Sequence, residues 1–436
     1  MSEGLKISVI GGGSSYTPEL IEGFIESLAE LPVKRIALMD IDSRRLEILG
    51  GLARRMLRAG QAPIDLQLTS NRGEAIEGSA FVISQIRVGG MAARILDEKI
   101  PLQYGVIGQE TTGPGGFAKA LRTIPVALAI AGDIERLAPR AILINFTNPA
   151  GLITEALHRY SAVNTIGLCN LPIGAEMRIA RRLGVDRRRI ALDWVGLNHL
   201  NWIRGATLDG KDIWPQVFEG EVEAACQAPA DGWSFSADLL EGLGMIPCGY
   251  LNYYYNRDAM VQKIKTAPRT RGEEVREIEE GLMNMYRDPN LHQKPALLEK
   301  RGGAYYSKAA VSLITAIAND KKEVHILNTL NEGALPGLDR RAVVEVPSQI
   351  GSRGARPRVV DPMPPQIRGL VQAVKAYEEL AAKAGAEGDR RAALQAMLAH
   401  PLVPSFQVAK DLLAALLEAH RAYLPQFFPG DHPKPS

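Results

Sequence analysis

Cys169 and His199 are the pair in this 436-residue chain whose types and setting suit a metal ion. Cys169 directly follows a short apolar run, NTIGL (164–168), and His199 closes Gly196-Leu197-Asn198-His199, 30 residues further on. In an open α/β sheet, ligands gather at the carboxyl ends of the strands. Two neighbouring strand ends can therefore bring a thiolate and an imidazole to one divalent ion. Two protein ligands leave coordination positions for substrate oxygens, as a Lewis-acid site requires. Taken alone the pair is unspecific, because a free cysteine is as readily a small buried apolar residue, and a lone histidine is often just hydrogen-bonded.

A second constellation lies near the N-terminus. Gly11-Gly12-Gly13-Ser14-Ser15-Tyr16 follows the apolar run KISVIG (6–11) and opens the helical segment PELIEGFIESLAEL (18–31). Backbone amides at a helix start, unobstructed by Cβ atoms, can approach a pyrophosphate and meet its charge with the helix dipole. The third glycine of a G-x-G-x-x-G fingerprint is Tyr16 here, and a tight strand–helix turn needs glycine in any case, so the loop by itself is weak. Asp40 strengthens it. It ends the next strand-like run, 27 residues after Gly13, where an acid can accept hydrogen bonds from an adenosine ribose and favours NAD over NADP. Asp40 or Asp42 can equally serve as a turn or cap residue in MDIDS.

These residues need a scaffold, and the first half of the chain supplies an alternating one. RIALMD (35–40), IDLQLT (64–69), AFVISQI (80–86) and AILINF (141–146) join KISVIG and NTIGL as short apolar runs separated by helical segments such as 43–59. Continuous apolar strands alternating with helices indicate a parallel sheet covered on both faces. Right-handed crossovers make this a Rossmann-like doubly wound sheet. The α/β pattern is expected to occupy residues 1–195. A second, mixed α+β domain is expected over 196–436, with a hairpin signal at Leu208-Asp209-Gly210-Lys211, helices over 272–286, 306–319, 364–384 and 406–423, and strands over 324–331 and 342–350. The tail DHPKPS is expected to be disordered.

Composition narrows the function. Lys and Arg total 51 against 49 Asp and Glu, so no nucleic-acid partner is expected. The basic run at Arg178–Arg189 reads as a solvated helix end. No leader segment and no apolar run of membrane-spanning length is visible. Three cysteines are too few for a disulfide framework and fit a reducing cytoplasm.

At the level of ordered motifs the pattern becomes specific. IGGGSSYTPEL (10–20), RVGG…LDEKIPL (87–102), GQETTGPGG (108–116), INFTNPAG (144–151), GLCNLP (167–172) and GLNH (196–199) continue with PCGYL (247–251), TRGEE (270–274) and LNEGALPGLDRRAVVEVP (330–347). Together they resemble the family 4 glycoside hydrolases, and among these the 6-phospho-β-glucosidases, over nearly the whole chain. Tyr16 fits, because the family resembles GGGS-x-Y-T-P at this turn.

The resemblance implies a fold related to lactate and malate dehydrogenases, put to hydrolysis without the two-carboxylate chemistry of most glycosidases. It implies that NAD⁺ transiently oxidises C3 of the sugar, that a base takes the acidified C2 proton with the help of a divalent ion, usually Mn²⁺, and that the aglycone then leaves, water adds and the hydride returns. Cys169 and His199 match the metal ligands and Tyr250 the C2 base, although Tyr250 also belongs to a run of rings with Tyr253, Tyr254 and Tyr255. Glu110 matches an acid that raises the tyrosine's basicity, with a contact to the nicotinamide ribose as the alternative. Gly11, Gly12, Gly13, Ser14, Ser15 and Asp40 match the cofactor loop. Arg87 and Asn148 match substrate contacts, and Arg271 matches a phosphate contact for which Arg269 competes. Asn170 stands where α-specific relatives carry Asp, so the resemblance implies a β-glucoside; capping the following helix is its other reading. The expected partners are a phosphorylated disaccharide or β-glucoside and further copies of the chain, as a homodimer or homotetramer. The rivals are α-specific phosphoglycosidases, α-galactosidases and α-glucuronidases of the family, a plain 2-hydroxy-acid dehydrogenase, and a non-catalytic regulator that binds NAD or a sugar phosphate.

Overall fold

The computed structural model describes residues 4–227, 234–302 and 305–430; the tail 431–436 lies outside the described residues. The strands in chain order are β1 (Leu5–Ile10), β2 (Val33–Met39), β3 (Asp65–Thr69), β4 (Phe81–Ser84), β5 (Ile142–Asn145), β6 (Thr165–Gly167), β7 (Ile190–Leu197), β8 (Leu200–Leu208), β9 (Lys211–Asp212), β10 (Ile246–Pro247), β11 (Val324–Leu330), β12 (Val343–Gly351) and β13 (Gly354–Pro357).

A nine-stranded sheet has the order β13-β12-β11-β6-β5-β4-β1-β2-β3. Its parallel part, 3-2-1-4-5-6, is the strand order of dinucleotide-binding sheets. Both faces are covered because side chains alternate. Ile7 and Val9 of β1 enter one core with Phe24 and Leu52, while Ile10 enters the other with Phe117 and Leu121. That is the expected α/β doubly wound architecture. Among the described residues no helix is long and apolar enough to cross a membrane.

Strands β11–β13 differ from the expected division at residue 195. They run antiparallel and extend the parallel sheet from β6, where Asn328 pairs with Gly167. Residues from beyond 195 thus complete the sheet of the first half. What stands apart is a small sheet of order β10-β8-β7, with β9 beside β8. The expected Asp209-Gly210 turn joins β8 to β9, both residues having positive φ (50° and 80°). The longer hairpin, β7 with β8, turns instead at Asn198-His199.

One buried carboxylate fastens the small sheet to the large one. Glu345 on β12 is fully buried and accepts from Trp194 Nε1 (3.1 Å) and Asn201 Nδ2 (2.7 Å) on the hairpin, Asn198 Nδ2 (3.1 Å) at its turn and Asn328 Nδ2 (3.0 Å) on β11. Among the described residues no Lys or Arg pairs with it, and burial pushes its pKa up to about 7 against the pull of these N–H donors. Each buried donor left without an acceptor costs about 1–3 kcal/mol. Glu345→Ala is therefore expected to lower the free energy of unfolding by several kcal/mol. Denaturant titration checks this, and an unchanged midpoint would mean that the four donors find water instead.

Candidate active site

The glycine turn is built by close packing. Gly11 has φ +94°, and a Cβ there would lie 2.8 Å from the Gln85 carbonyl oxygen. A Cβ on Gly13 would lie 2.8 Å from Asp40 Oδ2, which instead accepts the Gly13 N–H at 2.8 Å. Arg45 Nε bonds the Gly13 carbonyl at 2.9 Å. Asp42 accepts from Arg45 N at 3.0 Å and so caps the helix Ser43–Ala59, leaving Asp40 to face the loop. Gly11, Gly13, Ser14 and Asp40 line a cavity of about 1750 Å³. Single small-ligand pockets run to about 300–1,000 Å³, so a dinucleotide and a sugar fit together here.

Two members of the expected loop set do not present side chains to this cavity. Gly12 is a glycine because a Cβ would meet Leu38 at 2.8 Å, on the side of β2. Ser15 is buried and turned away, its hydroxyl 3.2 Å from Glu279 Oε1 and its carbonyl accepting from Tyr286.

Cys169 and His199 meet, though from two sheets rather than adjacent strand ends of one. Cys169 follows β6 and opens the helix Leu171–Leu183, whose Leu171 N–H points at its sulfur (3.5 Å). His199 sits in the β7–β8 turn with φ +61°. Its Nε2 lies 3.6 Å from Cys169 Sγ, and its Nδ1 lies 3.0 Å from Thr111 Oγ1. Burial pushes the thiol pKa well up and the imidazole pKa down to about 3. A neutral imidazole is ready to ligate, whereas the thiol would release its proton on binding. Among the described residues no third His, Cys, Asp or Glu joins them. A soft sulfur and a borderline nitrogen with open positions fit a divalent transition metal that also takes substrate oxygens.

Tyr250, in the turn Gly249–Leu251, lies flat on the His199 ring with centroids 3.8 Å apart and 3° between planes. Burial raises its pKa, followed by the negative potential of Cys169, Tyr253 and Glu110, and its hydroxyl also meets that of Thr111. Asn170 occupies the N-cap position of Leu171–Leu183, but its side chain makes no capping bond; it lines the cavity. Asn148 donates to Tyr306 Oη at 3.5 Å, and its buried amide oxygen has no partner among the described residues.

Glu110 is gripped by three cations. Arg87 pairs with it, Lys119 Nζ is 2.9 Å away and Arg94 Nη1 is 3.0 Å away. Burial pushes its pKa up, but these charges more than offset that and hold it well below the usual carboxylate range. The helices carrying Arg94 (Gly90–Gln103) and Lys119 (Gly113–Leu137) are locked by the fully buried Asp97–Arg122 pair, at 2.8 and 2.5 Å. Arg271 opens the helix Arg271–Tyr286 and reaches the Lys300 carbonyl (2.9 Å), while Arg269 pairs with Glu277; both border the cavity.

Sequence reasoning missed several residues here. Arg301 is nearly buried, lies 4.0 Å from the centre of the Tyr16 ring and pairs with Glu279. Thr111, Arg94 and Lys119 were also passed over. Of these only Thr111 carried a signal, as part of GQETTG.

The profile of the family 4 glycosyl hydrolases matches residues 6–185, and that of the family 4 glycosyl hydrolase C-terminal domain matches residues 194–403. The chain belongs to family 4 of the glycosyl hydrolases. This family 4 chain is 49% identical to a probable 6-phospho-beta-glucosidase of Bacillus subtilis, over 98% of this chain and 99% of the relative. It is 32% identical to a maltose-6'-phosphate glucosidase of the same organism, over 96% of each. The 6-phospho-beta glucosidase of Thermotoga maritima, solved with manganese, NAD⁺ and glucose-6-phosphate, superposes with TM-score 0.89 at 34% identity, over 96% of this chain and 99% of that one. A lactate dehydrogenase of Cryptosporidium parvum shares the fold alone, at TM-score 0.55 and 16% identity over 88% and 99% of the two chains.

The packing at Gly13 makes the glycine turn directly testable as a cofactor cradle. Gly13→Ala would press a methyl against Asp40 and displace the loop, so NAD⁺ affinity is expected to fall about tenfold or more, roughly 1.4 kcal/mol. Titration followed by intrinsic fluorescence measures it, and wild-type affinity would rule the loop out as the cradle.

Proposed function

We propose that this chain hydrolyses 6-phospho-β-glucosides, using NAD and a divalent metal, most simply Mn²⁺, as recycled cofactors. The observation that carries the reading is the stack of Tyr250 on His199 with Cys169 behind it, in the same cavity as the Gly11–Asp40 turn. Bound NAD⁺ would supply a hydride acceptor for C3, and the divalent ion a Lewis acid whose charge also favours the ionised phenol.

The chain's own residues do the rest. Cys169 and His199 would hold the ion. Tyr250 removes the C2 proton; an unperturbed tyrosine has a pKa of ~10, and burial with the nearby negative charge of Glu110 makes this one a stronger base once ionised. Glu110 cannot donate a proton, because its three cations keep it charged. It serves as the anchor of Arg87, Arg94 and Lys119. The unpartnered amide oxygen of Asn148 accepts a sugar hydroxyl.

For the phosphate we assign Arg87, with Arg301 and Arg271 of the same cavity, since guanidinium forks match a phosphate monoester in shape and charge. Lys119, which burial, helped by Arg87, lowers to about 7, lends less positive charge as pH rises through neutrality. Asn170 supports the β anomer: an amide beside the metal cysteine hydrogen-bonds hydroxyls but cannot protonate a leaving oxygen. Free thiols at Cys169, Cys226 and Cys248, one of them a metal ligand, suit a cytoplasmic enzyme.

Matched aryl 6-phosphoglucosides of both anomers, and the β-glucoside without phosphate, test the assignment. The 6-phospho-β-glucoside should have the highest kcat/KM, activity should need NAD⁺ and Mn²⁺, and no NADH should accumulate at the end of turnover. An α preference, or equal rates without phosphate, would overturn the substrate; net NADH production would favour a dehydrogenase.

A further inference from the structure

We propose that Thr111, held by Gln109, is a positioning residue that fixes the tautomer of His199 and leaves Nε2 bare for the metal. The inference rests on the reading of Cys169 and His199 as metal ligands. The side-chain amide of Gln109 turns one atom toward Thr111 N (2.6 Å), Thr112 N (2.7 Å) and Thr111 Oγ1 (2.8 Å). Backbone N–H groups can only donate, so that atom must be the amide oxygen rather than its nitrogen. An amide oxygen can only accept, so the Thr111 hydroxyl must give it its single proton.

That leaves only lone pairs on Thr111 Oγ1 to face His199 Nδ1 at 3.0 Å and the Tyr250 hydroxyl, which can then only donate to it. Nδ1 must then carry a hydrogen. A neutral imidazole has one such hydrogen, so Nε2, 3.6 Å from Cys169 Sγ, keeps its lone pair. The polarity of the whole relay is set at its far end by two backbone amides, which cannot be reversed by rotating a side chain. Partners of this kind on the second ring nitrogen orient a ligating histidine, and their loss typically costs about 10–100-fold in metal affinity or activity.

Two measurements test the proposal without using turnover. In metal-free wild-type protein labelled with ¹⁵N-histidine, the His199 resonances, assigned by their loss in His199→Gln, should show a protonated Nδ1 and an unprotonated Nε2. Mn²⁺ binding followed by the electron paramagnetic resonance of the free ion should weaken by about 10–100-fold in Thr111→Val. NAD⁺ affinity and the unfolding midpoint should stay near wild type, and Thr111→Ser should restore the Mn²⁺ affinity. If Thr111→Val does not fold, the wild-type resonances decide alone. A protonated Nε2, or equal Mn²⁺ affinity in wild type and Thr111→Val, would overturn the inference and leave the metal site standing. Wild-type protein that binds no Mn²⁺ would overturn the metal reading and the inference with it.

Discussion

The buried carboxylate of Glu345 is the constraint on which the site depends. Cys169 belongs to the large sheet and His199 to the small one, so their 3.6 Å approach requires the two sheets to hold a fixed relation. Hydrophobic contact alone is non-directional and tolerates sliding. Four N–H donors converging on one buried carboxyl group do not, because any slip orphans several of them at once. The same Asn198 that reaches Glu345 also accepts the Gly151 N–H (3.3 Å), tying the His199 turn to the helix that follows β5. The turn can therefore hold His199 at positive φ while its ring is pinned between Thr111 and Tyr250.

Charge is organised around this frame by the same logic. Glu110 balances part of the positive charge of Arg87, Arg94 and Lys119, so the cavity holds a compact group of cations without leaving a buried charge unpaired. In the same cavity, Glu279 does this for Arg301, with the Tyr16 ring beneath the guanidinium. Tyr16 therefore has work at the place where a simple dinucleotide fingerprint has glycine: its ring forms the floor on which a cavity arginine rests.

The parallel strands were legible because each is a short, continuous apolar run, and the Asp40 position followed from the length of one βαβ step. The extension of the sheet by β11–β13 was not, since antiparallel pairing between Asn328 and Gly167 leaves no local mark in either segment. His199 was readable as a candidate but not as the residue of a two-residue turn, because Asp209-Gly210 carries the stronger hairpin signal. Ser15 and Gly12 have the residue types of a phosphate loop, yet packing against Glu279 and Leu38 accounts for them. Thr111 and Arg301 act through partners far away in sequence, His199 and Tyr16, and residue type alone gives no hint of those contacts. Motif order carried what spacing could not: it joined Cys169, His199 and Tyr250 before any geometry did.

The central claim is that Tyr250, stacked on the imidazole of the metal pair, removes the proton from C2. Turnover of a 6-phospho-β-glucoside in D₂O, followed by NMR of the glucose 6-phosphate released, tests it most directly. Wild-type protein should deliver product with deuterium at C2, and Tyr250→Phe should lose both the exchange and the turnover. Product that forms with protium retained at C2 would contradict the account.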